Sequence, residues 1–454
     1  MKLSLKEIAQ ITGGTLISGN LEDEVTDLCI DSRVAKNGDL FIPLLGANAD
    51  GHQYLESALQ NASAALCSRK DVCAPNEKGL ILVEDTEKAM DAIGMYYRNQ
   101  TKKPVIAVTG SVGKTTTREM IAHVLSSDKM VYQTQGNYNS TIGVPITLAR
   151  MELNSDCFVL ECGTNHIGEI AQITDMVNPN IGVVTMIGVS HLENFITREN
   201  ILKEKMDISK NMTNSDVMFL NGDDEYLSRL EENGIHPACR VIYFGHGENV
   251  TAKASNSQYE DGFMTFTYEN EGIAKKVRLS VLGEHNVLNA TVSLAIAQYL
   301  GLDMDKAVKS LESFSGLRQR LITSENCLIL DDCYNASPDS MKASLNVLMK
   351  IPCKGKRIAV LGDMYELGNE EQAFHEEVGA YAAEFDLQEL VAIGELGQYI
   401  ATGAKKAGAS YELTTFMTKE EAGDYLLKKI EKEDVVLVKA SNGLKLNQLV
   451  ERLK

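Results

Sequence analysis

No apolar run in the 454 residues reaches the ~20 that a membrane-spanning helix requires. Met1 to Gln10 alternate charged and apolar side chains, which is not the composition of a secretory leader. A cytoplasmic protein with no membrane partner is therefore expected. Cysteine occurs nine times, an odd number at irregular spacing and never as a Cys-x-x-Cys pair. This excludes a disulfide framework and a cysteine-built zinc site, and leaves reduced, partly buried thiols. Positive charge is scarce: 44 Lys and Arg stand against 63 Asp and Glu, a formal net charge of −19. Neutralising a phosphate backbone takes clustered Lys and Arg, so no nucleic-acid partner is expected, and an anionic substrate would need a locally basic site. Internal repeats and low-complexity segments are also missing.

A chain of this length with 44% hydrophobic residues exceeds what one core holds and reads as about three domains. Short strands and small helices fill the first hundred residues, up to the polar segment Asn99 to Pro104, which places a boundary there. Beyond it, the β-branched runs Val105 to Val108, Phe158 to Leu160, Ile181 to Thr185 and Val217 to Leu220 alternate with helix-length segments. That alternation predicts parallel strands with crossover helices, a doubly wound α/β sheet. Phe263 to Tyr268 and Val277 to Val281 alternate with period two and predict an antiparallel flap on this middle domain. A second βα alternation begins near Leu317 and runs through Cys327 to Leu330, Arg357 to Leu361, Leu390 to Ile393 and Val435 to Val438, predicting a Rossmann-like third domain. The expected division is 1–101, a small mixed α/β domain; 102–316, a central parallel-sheet domain; and 317–454.

Pro104 to Thr117 reads Pro-Val-Ile-Ala-Val-Thr-Gly-Ser-Val-Gly-Lys-Thr-Thr-Thr, a short apolar strand entering a glycine loop that ends in a lysine and three threonines. Such a loop points several N–H groups and a helix N-terminus at one anion, so Gly110, Ser111, Val112, Gly113, Lys114, Thr115 and Thr116 are candidate ATP-binding residues. Lys114 would add charge beside the β/γ-phosphates, and Thr115 would offer a hydroxyl to Mg²⁺. Two residues separate the glycines where the general P-loop pattern has four. The plain alternative is a tight strand-to-helix turn carrying a surface lysine.

Glu161 follows the run Phe158 to Leu160, and the carboxyl ends of strands are where open α/β sheets bind ligands. A carboxylate there is placed to hold magnesium; the alternative is a solvated loop glutamate. His191 follows the apolar run Ile181 to Ile187 in the same way, although a lone histidine is more often a packed or surface residue. Fourteen residues on, Lys205 lies in a helical segment with Lys203, and by periodicity both are solvated helix charges.

Taken together, the glycine loop, Asn137-Tyr138-Asn139-Ser140-Thr141-Ile142-Gly143-Val144-Pro145, Glu161-Cys162-Gly163 and His191-Leu192-Glu193 resemble the Mur ligases. So do Gly283-Glu284-His285-Asn286-Val287-Leu288-Asn289-Ala290, Asp331 to Pro338, and Leu361-Gly362-Asp363-Met364-Tyr365-Glu366-Leu367-Gly368. In the first domain Asp31-Ser32-Arg33, Gly38 to Phe41 and Asp50-Gly51-His52 are similar to that family's UDP-binding module, so the resemblance covers nearly the whole chain. It implies ATP-driven amide formation through an acyl phosphate, with UDP-N-acetylmuramoyl-tripeptide as carboxylate donor and D-alanyl-D-alanine as incoming amine. Acting as a monomer is the family's habit.

Carried over residue by residue, the resemblance gives catalytic roles to Lys114, His191, Lys205 and Arg318. Lys114 would hold the phosphates, Thr115 and Glu161 one Mg²⁺, and His191 a second, assisted by a carbamylated Lys205. Asn289, with Asn286 as a second candidate, would meet the adenine. Arg318, Asp332 and Asn335 would reach ATP and the dipeptide from the third domain, and Ser32 and Arg33 would bind UDP. On the plain view Asn286 and Asn289 are polar positions one helical turn apart, Arg318 is a linker charge, and Arg33 makes a surface turn salt bridge. Three departures from the family pattern stand out: Lys205-Met206-Asp207-Ile208 for Lys-Gly-Glu-Ile, Lys439-Ala440-Ser441-Asn442 for Lys-Gly-Ser-Arg, and Ser140 where a second asparagine is usual. A ligase of the same type with another acceptor, and a nucleotide-binding paralogue without catalysis, remain as alternatives.

Overall fold

The computed structural model describes residues 1–46, 49–71, 78–316 and 318–454. Leu317, where the third domain was expected to start, lies outside the described residues.

Among the described residues three large sheets follow one another along the chain, beside a two-stranded antiparallel pairing of Leu3–Ser4 with Glu24–Val25. The first has Thr15–Ser18 antiparallel to Gly79–Leu82, which is followed in parallel by Ala64–Cys67, Asp39–Phe41 and Asp27–Cys29. The middle sheet has nine strands. Seven are parallel, in the order Val131–Gln133, Cys157–Glu161, Val105–Thr109, Ile181–Val184, Val217–Asn221, Arg240–Gly245 and Ala252–Glu260. Phe263–Asn270 and Ile273–Leu279 then continue it antiparallel. The expected flap is thus the far edge of the same sheet. Its alternating burial fits the period-two pattern, because the inward face (Met264, Phe266, Tyr268) packs on the core shared by the rest of the sheet.

The third sheet runs Cys327–Asp331, Asp434–Lys439, Arg357–Gly362, Glu389–Ile393 and Glu412–Phe416 in parallel. An antiparallel edge strand, Arg320–Thr323, pairs with Cys327–Asp331 and was not anticipated. It is short, polar at both ends and mostly exposed, so it carries no apolar run.

Apolar packing is continuous across the seams. One buried cluster runs from Val108 and Val287 beside the middle sheet to Leu345 and Leu361 of the third, and another joins Ile93 of the first sheet's layer to Ile146. Helix Glu284–Tyr299 is buried on nearly every side and packs against helix Lys114–Leu125. Its polar side chains Asn289, Thr291 and Ser293 are buried along with its apolar ones and hydrogen-bond within the helix, so almost no face is left for solvent. Among the described residues no helix is long and apolar enough to cross a membrane.

In the middle sheet, Val105–Thr109 lies between Cys157–Glu161 and Ile181–Val184; the chain leaving Val105–Thr109 runs to the edge strand Val131–Gln133 on one side, whereas the chain leaving Cys157–Glu161 crosses to Ile181–Val184 on the other. That arrangement makes the carboxyl end of Val105–Thr109 a switch point, where a crevice opens between diverging loops.

Candidate functional site

The three central strands end level with one another: Glu161 pairs with Val108, and Val184 with Thr109. The glycine loop, Glu161 and the segment leading to His191 therefore surround one crevice. It is a cleft of about 570 Å³ lined by Ser111 to Thr116, Glu161, His191, Asn286, Asn289, Arg318, Asp332 and Asn335.

The loop is held tightly against the next strand. Ser111 N donates to Met186 O at 2.9 Å, and Thr185 Oγ1 donates to Val112 O at 2.6 Å. Gly110 has φ +146°, and a Cβ there would stand 1.9 Å from Thr185 Oγ1, so only glycine fits. Gly113, at φ +88°, starts helix Lys114–Leu125 with no side-chain cap. The first-turn N–H groups are thereby left for an anion in the cleft. Lys114 Nζ donates to Gly110 O at 2.8 Å, folded over its own loop. Burial pulls its ammonium below the ordinary lysine range, while Glu161 opposes this and Arg318 adds to it.

Glu161 is the last residue of its strand and 2% exposed. Its Oε1 accepts from Thr115 Oγ1 at 3.1 Å and Asn139 Nδ2 at 2.7 Å. Among the described residues its Oε2 accepts no hydrogen bond, and the Arg118 guanidinium stands 3.5 Å away. A buried carboxylate with an open oxygen beside a threonine hydroxyl is a donor set that fits Mg²⁺, which takes one or two protein oxygens and keeps several waters. Consistently, no cage of three or more His, Cys, Asp or Glu side chains occurs among the described residues.

His191 lines the same cleft, in left-handed backbone at φ +60°. Its Nδ1 stands 2.5 Å from Glu366 Oε2, an acid delivered by the third sheet's loops. That contact holds the Glu366 carboxyl below its ordinary range. Lys205 and Lys203, alike by periodicity, differ in place: Lys203 is exposed and Lys205 is 3% exposed. Burial pulls the Lys205 ammonium well below the ordinary lysine range, the nearby Lys114 charge adds to this, and Glu204 opposes it. Lys205 lies behind the cleft wall, not on its lining. Neighbouring Glu204 is committed elsewhere, accepting from Gly168 N at 2.6 Å and Ile170 N at 2.8 Å at the start of helix Glu169–Val177.

From the other side, Arg318 donates to Thr115 Oγ1 at 3.1 Å while its guanidinium stacks 3.7 Å over the Tyr334 ring. Asp332 is buried and receives Lys439 Nζ at 2.7 Å and Ser344 Oγ at 2.6 Å. Lys439 also donates to Asn335 O at 2.9 Å. Asn289 Oδ1 accepts from Thr117 Oγ1 at 2.9 Å, and Asn289 Nδ2 donates to Asn286 Oδ1 at 3.1 Å, tying the two helices that flank the loop. Ser32 and Arg33 are not brought to this cleft; Arg33 extends into solvent and pairs with Asp31 at 2.6 Å.

Two departures acquire a location. Asn442 is exposed and does not line the cleft, whereas Ser140 does and its Oγ accepts from Gly143 N at 3.3 Å near the start of helix Gly143–Ala149. Sequence reasoning missed Arg118, Thr185, Gln319 and Glu366 as parts of the site. Arg118 lies one helical turn after Lys114 and could have been found from that spacing. Gln319 Nε2, 3.4 Å from Asp332 Oδ2, carried no comparable signal.

Residues 108–297 match the Mur ligase middle domain, and residues 317–442 the Mur ligase, glutamate ligase domain. The UDP-N-acetylmuramoyl-tripeptide–D-alanyl-D-alanine ligase of Bacillus subtilis is 35% identical over 100% of this chain and 98% of its own length. The crystal structure of MurF from Acinetobacter baumannii superposes with a TM-score of 0.90 at 30% identity, covering 100% of this chain and 99% of that one. MurF ligase from Thermotoga maritima in complex with ADP gives 0.82 at 28% identity, over 94% and 97% of the two chains. With two Mur ligase domains matched along residues 108–297 and 317–442 and a relative 35% identical over its whole length, the chain belongs to the Mur ligase family.

Proposed function

We infer that this chain is an ATP-dependent ligase that joins D-alanyl-D-alanine to UDP-N-acetylmuramoyl-tripeptide, the last addition to the peptidoglycan pentapeptide precursor, in the cytoplasm and as a monomer. The likeness to ligases of that name along the full chain supports the substrates. The observation that carries the reaction type is the Thr115–Glu161 pair at the mouth of a glycine loop.

A carboxylate resists nucleophiles because it is already anionic. Its oxygen attacks the γ-phosphorus of ATP, the bond to the β-phosphate oxygen breaks, and ADP leaves behind an acyl phosphate. The neutral amine of the dipeptide then attacks the acyl carbon, loses its proton and expels inorganic phosphate through a tetrahedral intermediate. Such a transfer needs positioning and charge neutralisation more than covalent help. Lys114, the loop N–H groups and Arg318 supply positive charge around the transferred group, and Asn286, Asn289, Asp332 and Asn335 bound the nucleotide's place. Ser32 and Arg33 are read as the UDP contacts, which requires Arg33 to exchange its Asp31 partner for pyrophosphate oxygens.

Thr115 and Glu161 would hold one Mg²⁺, and His191 with a carbamylated Lys205 a second. Bound there, the ions would supply further neutralisation of phosphate charge. Carbamylation joins the neutral lysine amine to CO₂ and releases a proton. The burial that disfavours the Lys205 ammonium supports it, since only the unprotonated amine reacts. Domains at 1–101, 102–316 and 317–454 are read as closing on the substrates. A paralogue that merely binds nucleotide has no use for the open Glu161 oxygen or the buried lysine.

The test is ATP-dependent phosphate release with UDP-N-acetylmuramoyl-tripeptide, with and without D-alanyl-D-alanine, followed by mass analysis. A pentapeptide product is expected. Turnover with a different acceptor alone would keep the ligase chemistry and discard the dipeptide, and no turnover with any acceptor would discard both.

A further inference from the structure

Glu366 is a partner for which the reaction so far has no use. It follows strand Arg357–Gly362 in the third sheet, yet its carboxylate reaches His191 of the middle sheet, Oε2 lying 2.5 Å from Nδ1. The contact extends to the backbone: Glu193 N donates to Glu366 O at 3.3 Å, and Gly368 packs against Glu193. Both ends of the pair occupy left-handed backbone, His191 at φ +60° and Glu366 at φ +66°. Residues with a Cβ enter that region at a cost and persist there when their surroundings hold them, most often at functional sites. Core packing does not demand the acid, since the Glu366 side chain is 54% exposed.

The chemistry of imidazole gives the contact a purpose. A neutral ring binds a cation through the lone pair of one nitrogen and carries its proton on the other. The Glu366 oxygen stands 2.5 Å from Nδ1 but off the line of a ring N–H, so it acts as a negative charge beside that nitrogen, favouring the tautomer with the proton on Nδ1 and the lone pair on Nε2. Among the described residues no hydrogen bond engages Nε2, and His191 lines the cleft. Partners of this kind orient metal-binding histidines widely, and losing one typically weakens metal binding by about 10–100-fold.

We propose that Glu366 is a positioning residue that fixes the tautomer and orientation of the His191 ring for a divalent cation, so that this cation position is complete only when the third sheet is seated on the middle one. This rests on the reading of His191 as a metal ligand.

The experiment is Mn²⁺ titration of the full-length protein with ADP present, followed by electron paramagnetic resonance. It compares the parent protein with Glu366→Gln, Glu366→Gly and His191→Ala, and thermal melts are recorded for all four. Glu366→Gln and Glu366→Gly are expected to weaken one Mn²⁺ site by about 10–100-fold. Glycine suits φ +66°, so Glu366→Gly should melt no lower than the parent, a combination that a merely structural contact would not give. Parent-like Mn²⁺ binding in both Glu366 variants, with the site lost in His191→Ala, would overturn the proposal and leave Glu366 as a domain contact. Unchanged binding in His191→Ala would instead overturn it through its premise, by removing His191 from the metal site.

Discussion

A methyl group added at Gly110 would stand 1.9 Å from Thr185 Oγ1 and 3.1 Å from Thr185 N, on backbone at φ +146° that L-residues rarely adopt. The loop cannot yield without breaking the Thr185 bond to Val112 O that shapes the phosphate cradle. Gly110→Ala should therefore weaken nucleotide binding by about 10–100-fold, the range that 1–3 kcal/mol of strain produces, as read by titration with ADP. An unchanged affinity would mean that the loop has slack the packing does not show. At Lys205 the buried amine leads to a different expectation. Lys205→Ala should lose most turnover and recover part of it with added formate or acetate, which would stand in for the oxygens of the proposed carbamate. Full activity without rescue would remove the carbamate. The convergence of Lys114, Thr115 and Glu161 on one cleft was legible in the sequence, because glycine spacing and strand ends mark such places by themselves. Lys205 was legible only through the family resemblance, for periodicity gave it the same weight as the exposed Lys203.

Helix Thr86–Arg98 shows the same limit at the scale of an element. Its amphipathic pattern announces a helix, but not that its far side braces the next domain. Arg98 donates to Val177 O at 2.5 Å and to Asn178 O at 2.6 Å, satisfying carbonyls at the end of helix Glu169–Val177 where a cation is favoured. On the same seam Gln172 Nε2 donates to Asp91 Oδ2 at 3.5 Å, and among the described residues Asp91 Oδ1 has no hydrogen-bond partner. Burial pushes the Asp91 carboxyl up to about 6. A carboxyl raised in the folded state retains its proton better there than in the unfolded chain. Its stabilising share is whole below about pH 4 and is lost as the pH rises through about 6. Asp91→Asn should accordingly stabilise the protein at pH 8, by about 1 kcal/mol once solvent screening of a partly exposed group is allowed for, with the gain shrinking toward pH 5. Melting curves of parent and variant across that range decide it, and a pH-independent difference would refute it. The antiparallel strands Phe263–Asn270 and Ile273–Leu279 were likewise legible as strands, but their attachment to the sheet edge depends on strand order, which no local pattern encodes.

At the scale of the whole molecule the cleft divides unequally. The middle sheet holds the phosphate loop, Glu161, His191 and the asparagine pair, while the third sheet and the segment leading to it bring Arg318, Asp332, Asn335 and Lys439. The pairing of these two groups was anticipated only through the family resemblance, because it depends on how two βα units dock rather than on either pattern. It implies that holding nucleotide and transferring its phosphate are separable. Arg318 is the sharpest probe, since its guanidinium bridges the halves, stacked on Tyr334 and bonded to Thr115 Oγ1. Removing one preorganised positive donor from a phosphoryl-transfer site costs on the order of 10²-fold in turnover. The loop N–H groups proposed to grip the ground-state phosphates remain in place. Arg318→Ala should thus lower kcat by about 10²-fold while ADP affinity falls less than about tenfold. Arg318→Lys should restore little, because an ammonium cannot keep both the flat stack on Tyr334 and the reach to Thr115. Steady-state kinetics beside ADP calorimetry give the comparison. Equal losses in kcat and ADP affinity would assign Arg318 to ground-state binding and leave the transfer step to the middle sheet alone.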